Sequence, residues 1–306
     1  MVIRIGTDCS GIEAPIEALR QLKIEHEHIF TCEKDKYALQ SIKANYTPKK
    51  IYTDITKRKH ALLPDIDIYV CGFPCQPFSL MGNKKGTTDP RSNIMYQCIK
   101  VITKKRPKVF ILENVKNFKY IEEGKPFKYL MERLNNIGEY NVYNNILNTK
   151  DYGIPQNRER IYIIGIRKDI QREEYTKPKE KEMISLEEYI IDKTIYDKEI
   201  VDKMLKKNLE KINNTKDCIV LPFTYYFPMK NISPTLTTQC GRYYLTTYKR
   251  NLSAKECLLL QGFRKEFKQV VSNTQMYKQA GNSMSVNVIK EIYKKIFEIT
   301  TLNPSM

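Results

Sequence analysis

The chain has 306 residues, 41% of them hydrophobic, enough for one large domain or a large one with a smaller companion around a real core. Its 52 Lys and Arg outnumber its 35 Asp and Glu, and this net +17 favours a polyanionic partner, because clustered cations release the counterions of a phosphate backbone. No apolar run approaches the roughly 18–20 residues of a membrane span. Met1–Gly6 reads as a strand rather than a secretory leader, and eight scattered cysteines read as reduced, intracellular thiols rather than a disulfide framework.

Apolar runs and amphipathic stretches alternate from the start. The pattern predicts strand 2–5, helix 13–22, strand 28–32, helix 36–45, a short extended piece at 51–53, and a buried strand at 66–71. It continues with helix 93–103, buried strand 108–112, helix 127–137, strand 142–147 and strand 160–166. Such a βα rhythm predicts a Rossmann-like α/β fold, a mostly parallel sheet covered by helices on both faces. From about 168 to 217 the chain is near neutral and reads as solvated helices at 185–191 and 198–212. Residues 221–250 are basic and Tyr-rich and read as a small irregular β module. Helical periodicity returns at 252–261 and 285–297.

Five segments carry chemistry. Gly72-Phe73-Pro74-Cys75-Gln76-Pro77-Phe78-Ser79 follows a buried strand, so Cys75 sits at the C-terminal sheet edge, where open α/β sheets bind ligands. A thiol there can be exposed and reactive, although a lone cysteine is more often a core residue. The Gly- and Lys-rich stretch after it, with Lys84, Lys85 and Arg91, suits a loop that closes on a phosphate backbone. Glu113-Asn114-Val115 ends the next buried strand, so Glu113 can face the same cleft as Cys75 and donate to a pyrimidine nitrogen when protonated. A turn or capping role is the alternative. Gln156-Asn157-Arg158-Glu159-Arg160 enters the last strand, and two arginines at spacing two share one side of an extended chain. They can hold a carbonyl or phosphate, or form an edge salt bridge through Glu159. Finally, Thr7-Asp8-Cys9-Ser10-Gly11-Ile12-Glu13 is a strand-to-helix turn, with Glu33 and Asp54 after the second and third strands. Acids in those places suit ribose hydroxyls and an adenine amine, and no GxGxxG for a dinucleotide is present. Gln279-Ala280-Gly281-Asn282-Ser283-Met284 reads as the opening of the last helix.

In order, the Pro-Cys-Gln, Glu-Asn-Val, Gln-x-Arg-x-Arg and Gly-Asn-Ser segments resemble the DNA cytosine-5 methyltransferases over nearly the whole chain. The resemblance implies an S-adenosylmethionine-dependent methyltransferase fold with a small target-recognition domain. It implies Cys75 as the nucleophile that attacks C6 of a flipped-out cytosine, Glu113 at N3, Arg160 at O2, and Arg158 in support. The matching cofactor positions are Cys9, Ser10, Gly11, Ile12, Glu33, Asp54, Pro74, Ile94 and Asn282. Two departures stand out. Where the family usually has Asp-x-Phe-x-Gly-x-Gly-Gly, this chain has Cys9 for the Phe and Glu13-Ala14 for the last two glycines; Arg264 replaces a proline common after Gly-Phe.

The family order divides the chain into a catalytic, cofactor-binding part (1–167), a target-recognition part (168–249) and a return segment (250–306). Ser233-Pro234-Thr235-Leu236-Thr237-Thr238 resembles a family element near the DNA backbone. The DNA-contacting candidates are Gln76, Ser79, Lys84, Lys85, Arg91, Thr235, Gln239, Arg242 and Tyr243, with Tyr244 beside them. Arg and Gln can read guanine and adenine edges, whereas the tyrosines can equally pack the module. The implied partner is double-stranded DNA, met by a monomer inside a cell (cytoplasm, nucleoid, or host cell if viral), with a cognate restriction endonuclease as a further candidate. No metal is expected: the cysteines and His26, His28 and His60 do not fall at zinc-site spacing. The branch of the family that acts on tRNA carries a Cys-Phe-Thr tripeptide absent here, and an inactive DNA-binding paralogue would have lost Cys75 or Glu113.

Overall fold

The computed structural model describes residues 2–74, 92–196, 203–210, 219–221 and 229–302. The chain divides into two compact units, one of 1–147, 159–179 and 288–306, the other of 148–158 and 180–287.

The first unit is a seven-stranded sheet with helices. Its elements are β1 (Ile3–Asp8), α1 (Ala14–Gln21), β2 (His26–Cys32), α2 (Lys36–Asn45), β3 (Lys50–Tyr52), β4 (Ile68–Cys71), α3 (Ser92–Lys105), β5 (Val109–Val115), α4 (Lys125–Asn135) and β6 (Tyr140–Asn148). A two-residue strand, β7 (Gln156–Asn157), falls in the second unit, and β8 (Glu159–Arg167) returns to the first. The sheet order is β3-β2-β1-β4-β5-β8-β6. Strands β1 to β5 pair in parallel and β8 runs antiparallel to β5, so the predicted mostly parallel sheet is present. Its central strands are apolar on both faces: all four residues of β4 are buried, as are Val109–Asn114 of β5 and Ile161–Ile166 of β8. One core layer gathers Phe30, Tyr69, Phe110, Leu112, Phe118 and Ile163 with Met95 and Cys98 of α3 and Leu130 of α4.

The second unit is less regular. A four-stranded sheet runs in the order β10 (Met229–Lys230), β9 (Ile219–Leu221), β12 (Tyr244–Leu245), β13 (Arg250–Asn251), and β11 (Ser233–Pro234) pairs with β7. Helices α5 (Lys203–Glu210), α6 (Ala254–Leu260) and α7 (Asn273–Asn282) belong to it, and α8 (Val286–Ile299) passes to the first unit from Val288. Helix α6 opens on a capping box, in which Ser253 Oγ accepts from the Glu256 N–H and the Glu256 carboxylate from the Ser253 N–H.

Several expectations are corrected. The stretch 185–191 is a single 3-10 turn, Leu186–Tyr189, because its apolar residues are too few for a longer buried face. Asn282 is the last residue of α7, not the start of the final helix; extended backbone at Ser283 separates the two. The unit boundaries also differ from 1–167, 168–249 and 250–306. Residues 148–158 and 250–287 pack with the recognition stretch, because Gln156 and Arg158 bond to Leu236, Leu260, Gln261, Gly281 and Ser283.

Candidate active site and cofactor turn

Strand order brings Glu113 and Arg160 to one edge of the sheet. Strand β4 pairs with β5 so that Cys71 stands beside Leu112, and β5 pairs with β8 so that Glu113 stands beside Tyr162 and Val115 beside Arg160. Glu113 and Arg160 are therefore diagonal neighbours on one face, and Arg160 Nε lies 3.4 Å from Glu113 Oε1. Arg160 Nη1 also donates to the Glu159 carbonyl at 2.8 Å. Glu159 is taken up by Lys116 at 2.9 Å, so the edge salt bridge exists with a lysine as its partner.

Cys75, Gln76, Ser79, Lys84, Lys85 and Arg91 lie outside the described residues. The chain leading to Cys75 is described as far as Pro74, which is exposed, and it is held from two sides. The Phe73 ring packs edge-on against Phe118 at 5.2 Å, and the Phe73 carbonyl accepts from Asn114 Nδ2 at 3.0 Å. Asn114 thus ties the entry of the cysteine segment to the residue next to Glu113. The sequence reading missed this role, although the signal was there: an amide directly after the glutamate at a buried strand end.

The predicted cofactor turn follows β1. Cys9, Gly11 and Glu13 all take left-handed backbone (φ 47°, 57° and 65°), which folds the chain tightly between β1 and α1. A Cβ on Gly11 would meet no atom within 4 Å, so open space lies beside this stretch of backbone. Ser10 Oγ pairs with Thr31 Oγ1 at 2.7 Å. Glu33 accepts from the N–H groups of Gly11 (2.7 Å), Lys34 (2.8 Å) and Asp35 (2.9 Å), while burial pushes its carboxyl up from the ordinary range. The Thr56 hydroxyl at 2.7 Å and its N–H at 2.8 Å hold the half-buried Asp54 carboxyl below the usual range. Ile94 is half-buried against the core layer. Ile12 is fully buried. Asn282 is exposed and belongs to the second unit.

Two buried acids near this turn were not singled out from sequence. Asp8, closing β1, accepts from Arg58 Nη1 (2.6 Å), Arg58 Nη2 and the Tyr69 hydroxyl (2.6 Å). The guanidinium lies 5.1 Å and 5.2 Å from the ring centres of Phe30 and Tyr52. Glu13, fully buried, accepts on Oε1 from Thr7 Oγ1 (2.8 Å) and Thr31 Oγ1 (2.5 Å) and lies 3.5 Å from His28 Nε2. Burial raises Glu13 to about 8 and lowers His28 to about 3, so at neutral pH this contact joins an uncharged acid to an uncharged imidazole.

In the second unit, Arg158 does not share a side with Arg160. Its N–H bonds back to the Gln156 carbonyl at 3.0 Å, a turn that breaks the extended chain. The buried guanidinium donates to the carbonyls of Leu236 (2.9 Å), Gly281 (3.3 Å) and Ser283 (2.7 Å). Gln156 and Gln261 extend this hub to Leu236, Leu260 and Ala280. Gly281 is required there: a Cβ would stand 2.2 Å from the Thr237 carbonyl. The hub supports an exposed run of Thr237, Thr238 and Gln239, followed by exposed Arg242. Thr235 is half-buried and donates to the Asn157 carbonyl at 2.7 Å. Tyr243 and Tyr244 are buried, and the Tyr243 hydroxyl donates to the Thr235 carbonyl at 2.6 Å, so both pack the module in this conformation.

The fold is that of solved methyltransferases. A DNMT2 variant from Spodoptera frugiperda superposes with a TM-score of 0.73 at 20% identity, covering 96% of this chain and 99% of the other. The Entamoeba histolytica methyltransferase EhMeth gives 0.74 at 18%, covering 97% and 98%. The model of the C-5 cytosine-specific DNA methylases matches residues 8–298, and the chain belongs to that family. It is 36% identical to the Type II methyltransferase M1.ScrFI of Lactococcus lactis subsp. cremoris (89% of this chain, 72% of the relative). It is 37% identical to M.SsoII of Shigella sonnei (90% and 74%) and 31% identical to M.HhaI of Haemophilus parahaemolyticus (91% and 90%). The protein is accordingly a DNA cytosine-5 methyltransferase, the activity that the motif order implied.

Proposed function

We propose that S-adenosylmethionine binds at the Cys9–Ile12 turn, with Glu33 and Asp54 toward its ribose and adenine and Pro74 and Ile94 beside it. The residues fit such a group: a glycine backbone open on one side, and two acids at successive strand ends. When bound, the cofactor supplies an electrophilic methyl group. Asn282 joins this set as an expectation from its motif.

The observation that carries the catalytic reading is the Glu113–Arg160 contact beside the anchored entry to Cys75. The target carbon is stacked inside duplex DNA, so the cytosine must leave the helix. The Cys75 thiolate adds to C6, forming an S–C6 bond. Glu113 bonds N3 and neutralises the charge that addition places there. Arg160 holds O2, and Arg158 supports it by fixing the chain just before β8. Addition makes C5 nucleophilic. Once C5 carries the methyl, loss of its proton breaks the S–C6 bond and frees the thiolate. The covalent route divides one hard substitution into easier steps.

The second unit acts as the recognition module, with Thr235, Gln239 and Arg242 toward DNA. Tyr243 would join them only by leaving its buried place. Gln76, Ser79, Lys84, Lys85 and Arg91 contact the duplex from the Cys75 segment. The protein works as an intracellular monomer on duplex DNA, alongside a restriction endonuclease of the same specificity. No helix among the described residues is long and apolar enough to cross a membrane.

Trapping on duplex DNA carrying 5-fluorocytosine tests the mechanism, because fluorine cannot leave C5 as a proton. A covalent adduct is expected with the wild-type protein, and none with Cys75→Ser. Absence of the wild-type adduct at saturating cofactor would remove Cys75 from the role. Bisulfite sequencing of a plasmid from expressing cells would give the site, and methylation of tRNA but not duplex would overturn the DNA substrate.

A further inference from the structure

We propose that Glu13 is a positioning residue of the cofactor turn, its buried carboxyl setting the place of Ser10 and Gly11 through Thr7 and Thr31. The proposal rests on the reading of that turn as the S-adenosylmethionine site.

Glu13 stands where the family usually has a glycine, and that makes its chemistry conspicuous. Its backbone is left-handed, φ 65° and ψ 46°, a conformation that is unfavourable for a non-glycine residue. Its carboxyl is fully buried, a further cost unless hydrogen bonds offset it. A side chain turned to the surface would avoid the second of these costs.

The hydrogen bonds show what is gained. Glu13 Oε1 gathers the hydroxyls of Thr7 on β1 and Thr31 on β2, so one atom links two parallel strands just below the turn. Because Thr31 gives its proton to Glu13, its oxygen is left to accept from Ser10 Oγ at 2.7 Å. Backbone bonds complete the clamp: the Glu13 N–H donates to the Ser10 carbonyl at 2.9 Å, and the Ser10 N–H to the Cys32 carbonyl at 3.4 Å. Gly11, the next residue, presents its N–H to Glu33 at 2.7 Å. Thr7 Oγ1, having donated to Glu13, has a lone pair for His28 Nε2 at 3.4 Å, which closes the cluster on the far side. Among the described residues, Glu13 Oε2 and His28 Nδ1 are buried with no partner, so the cluster is not a saturated structural network but one held together through a single oxygen.

The test measures binding of S-adenosylmethionine to the full chain by calorimetry, and steady-state kinetics beside it. Glu13→Gly keeps the backbone conformation and removes the link. It should weaken cofactor binding about tenfold and raise KM for the cofactor in parallel, leaving kcat at saturating cofactor and KM for DNA within about twofold. Glu13→Gln retains the accepting oxygen and should restore both values to within about twofold of wild type. Thr31→Val removes the same link with Glu13 in place, and serves if the glycine variant does not fold; it should weaken binding several-fold, with Thr31→Ser restoring it. Wild-type affinity in Glu13→Gly or Thr31→Val overturns the positioning role, as does Glu13→Gln binding as weakly as Glu13→Gly. A wild-type chain that does not bind S-adenosylmethionine overturns the cofactor reading itself, and this proposal with it.

Discussion

Asp8–Arg58 and Glu113–Arg160 are both carboxylate–guanidinium pairs in the first unit, and they are built in opposite ways. Asp8 is met by both terminal nitrogens of Arg58 and by Tyr69, and the two charged side chains are 0% and 4% exposed. Glu113 and Arg160 are 10% and 14% exposed, Arg160 Nε approaches Glu113 at 3.4 Å, and Arg160 spends another donor on a neighbouring carbonyl. A buried, multiply bonded pair beside two aromatic rings fixes a backbone and has no capacity for a ligand. A looser pair at a strand edge can exchange part of its contact for atoms of a substrate. The first belongs to architecture and the second to chemistry.

The largest effect that would break this contrast is on turnover. Glu113→Gln should lose about 10²–10³-fold in methyl transfer at saturating DNA and cofactor, since it weakens a charge-stabilising contact made in the transition state. Duplex affinity should stay near wild type, and the melting temperature should move by no more than about 2 °C. Labelled-methyl transfer, a DNA-binding isotherm and a melting curve check all three. A melting point that collapses with activity would make Glu113 architectural.

The reverse pattern is expected at the other pair. Arg58→Met leaves Asp8 in a dry site with the Tyr69 hydroxyl but without its cation, which should cost about 3–5 kcal/mol in urea unfolding. Adding Asp8→Asn should recover much of that loss, because the stranded charge is gone. Turnover per folded molecule should fall far less than in Glu113→Gln.

The contrast also shows what was legible in the sequence. The mostly parallel sheet and the convergence of Glu113 and Arg160 on one edge could be read, because buried strands give continuous apolar runs and the signature residues fall at their ends. Asp8–Arg58 could not, since the two are 50 positions apart and no periodicity links a loop arginine to a strand end. Arg158 was misplaced for a related reason: spacing two implies a shared side only in an extended chain, and a turn at Gln156–Arg158 intervenes. Tyr243 and Tyr244 illustrate a third limit, because composition does not separate an aromatic that packs a module from one that stacks on a base.

The hub around Arg158 gives a smaller prediction. Gly281→Ala places a methyl against the Thr237 carbonyl, and relieving it should cost about 1–3 kcal/mol. If the hub presents Thr237–Arg242 to DNA, this variant should weaken duplex binding more than S-adenosylmethionine binding, which the neighbouring Asn282 is proposed to serve. Equal loss of both ligands would mean that the glycine serves the whole fold rather than the exposed run.

The smallest effect concerns pH and the uncharged pair below the cofactor turn. Glu13 has its folded value raised from 4.5 to about 8 by burial, so the stability it contributes is fully present below pH 4.5 and is lost as pH rises toward 8. His28 has its folded value lowered from 6.5 to about 3, so its contribution is present above 6.5 and is lost as pH falls toward 3. Between 4.5 and 6.5 the two slopes oppose each other, each about 1.4 kcal/mol per pH unit at most. The pair should therefore produce a plateau there, with losses on either side. Glu33 and His26 add to the shifts by charge, whereas Thr7 and Thr31 do not titrate. Glu13→Gln removes the alkaline limb and leaves the His28 slope unopposed below 6.5, so stability there rises with pH. Melting temperatures from pH 5 to 8.5 should fall above 6.5 in the wild type and stay flatter in the variant. If both curves fall together above pH 6.5, Glu13 is already ionised in the folded protein, and the contact with His28 is a charged pair rather than a neutral one.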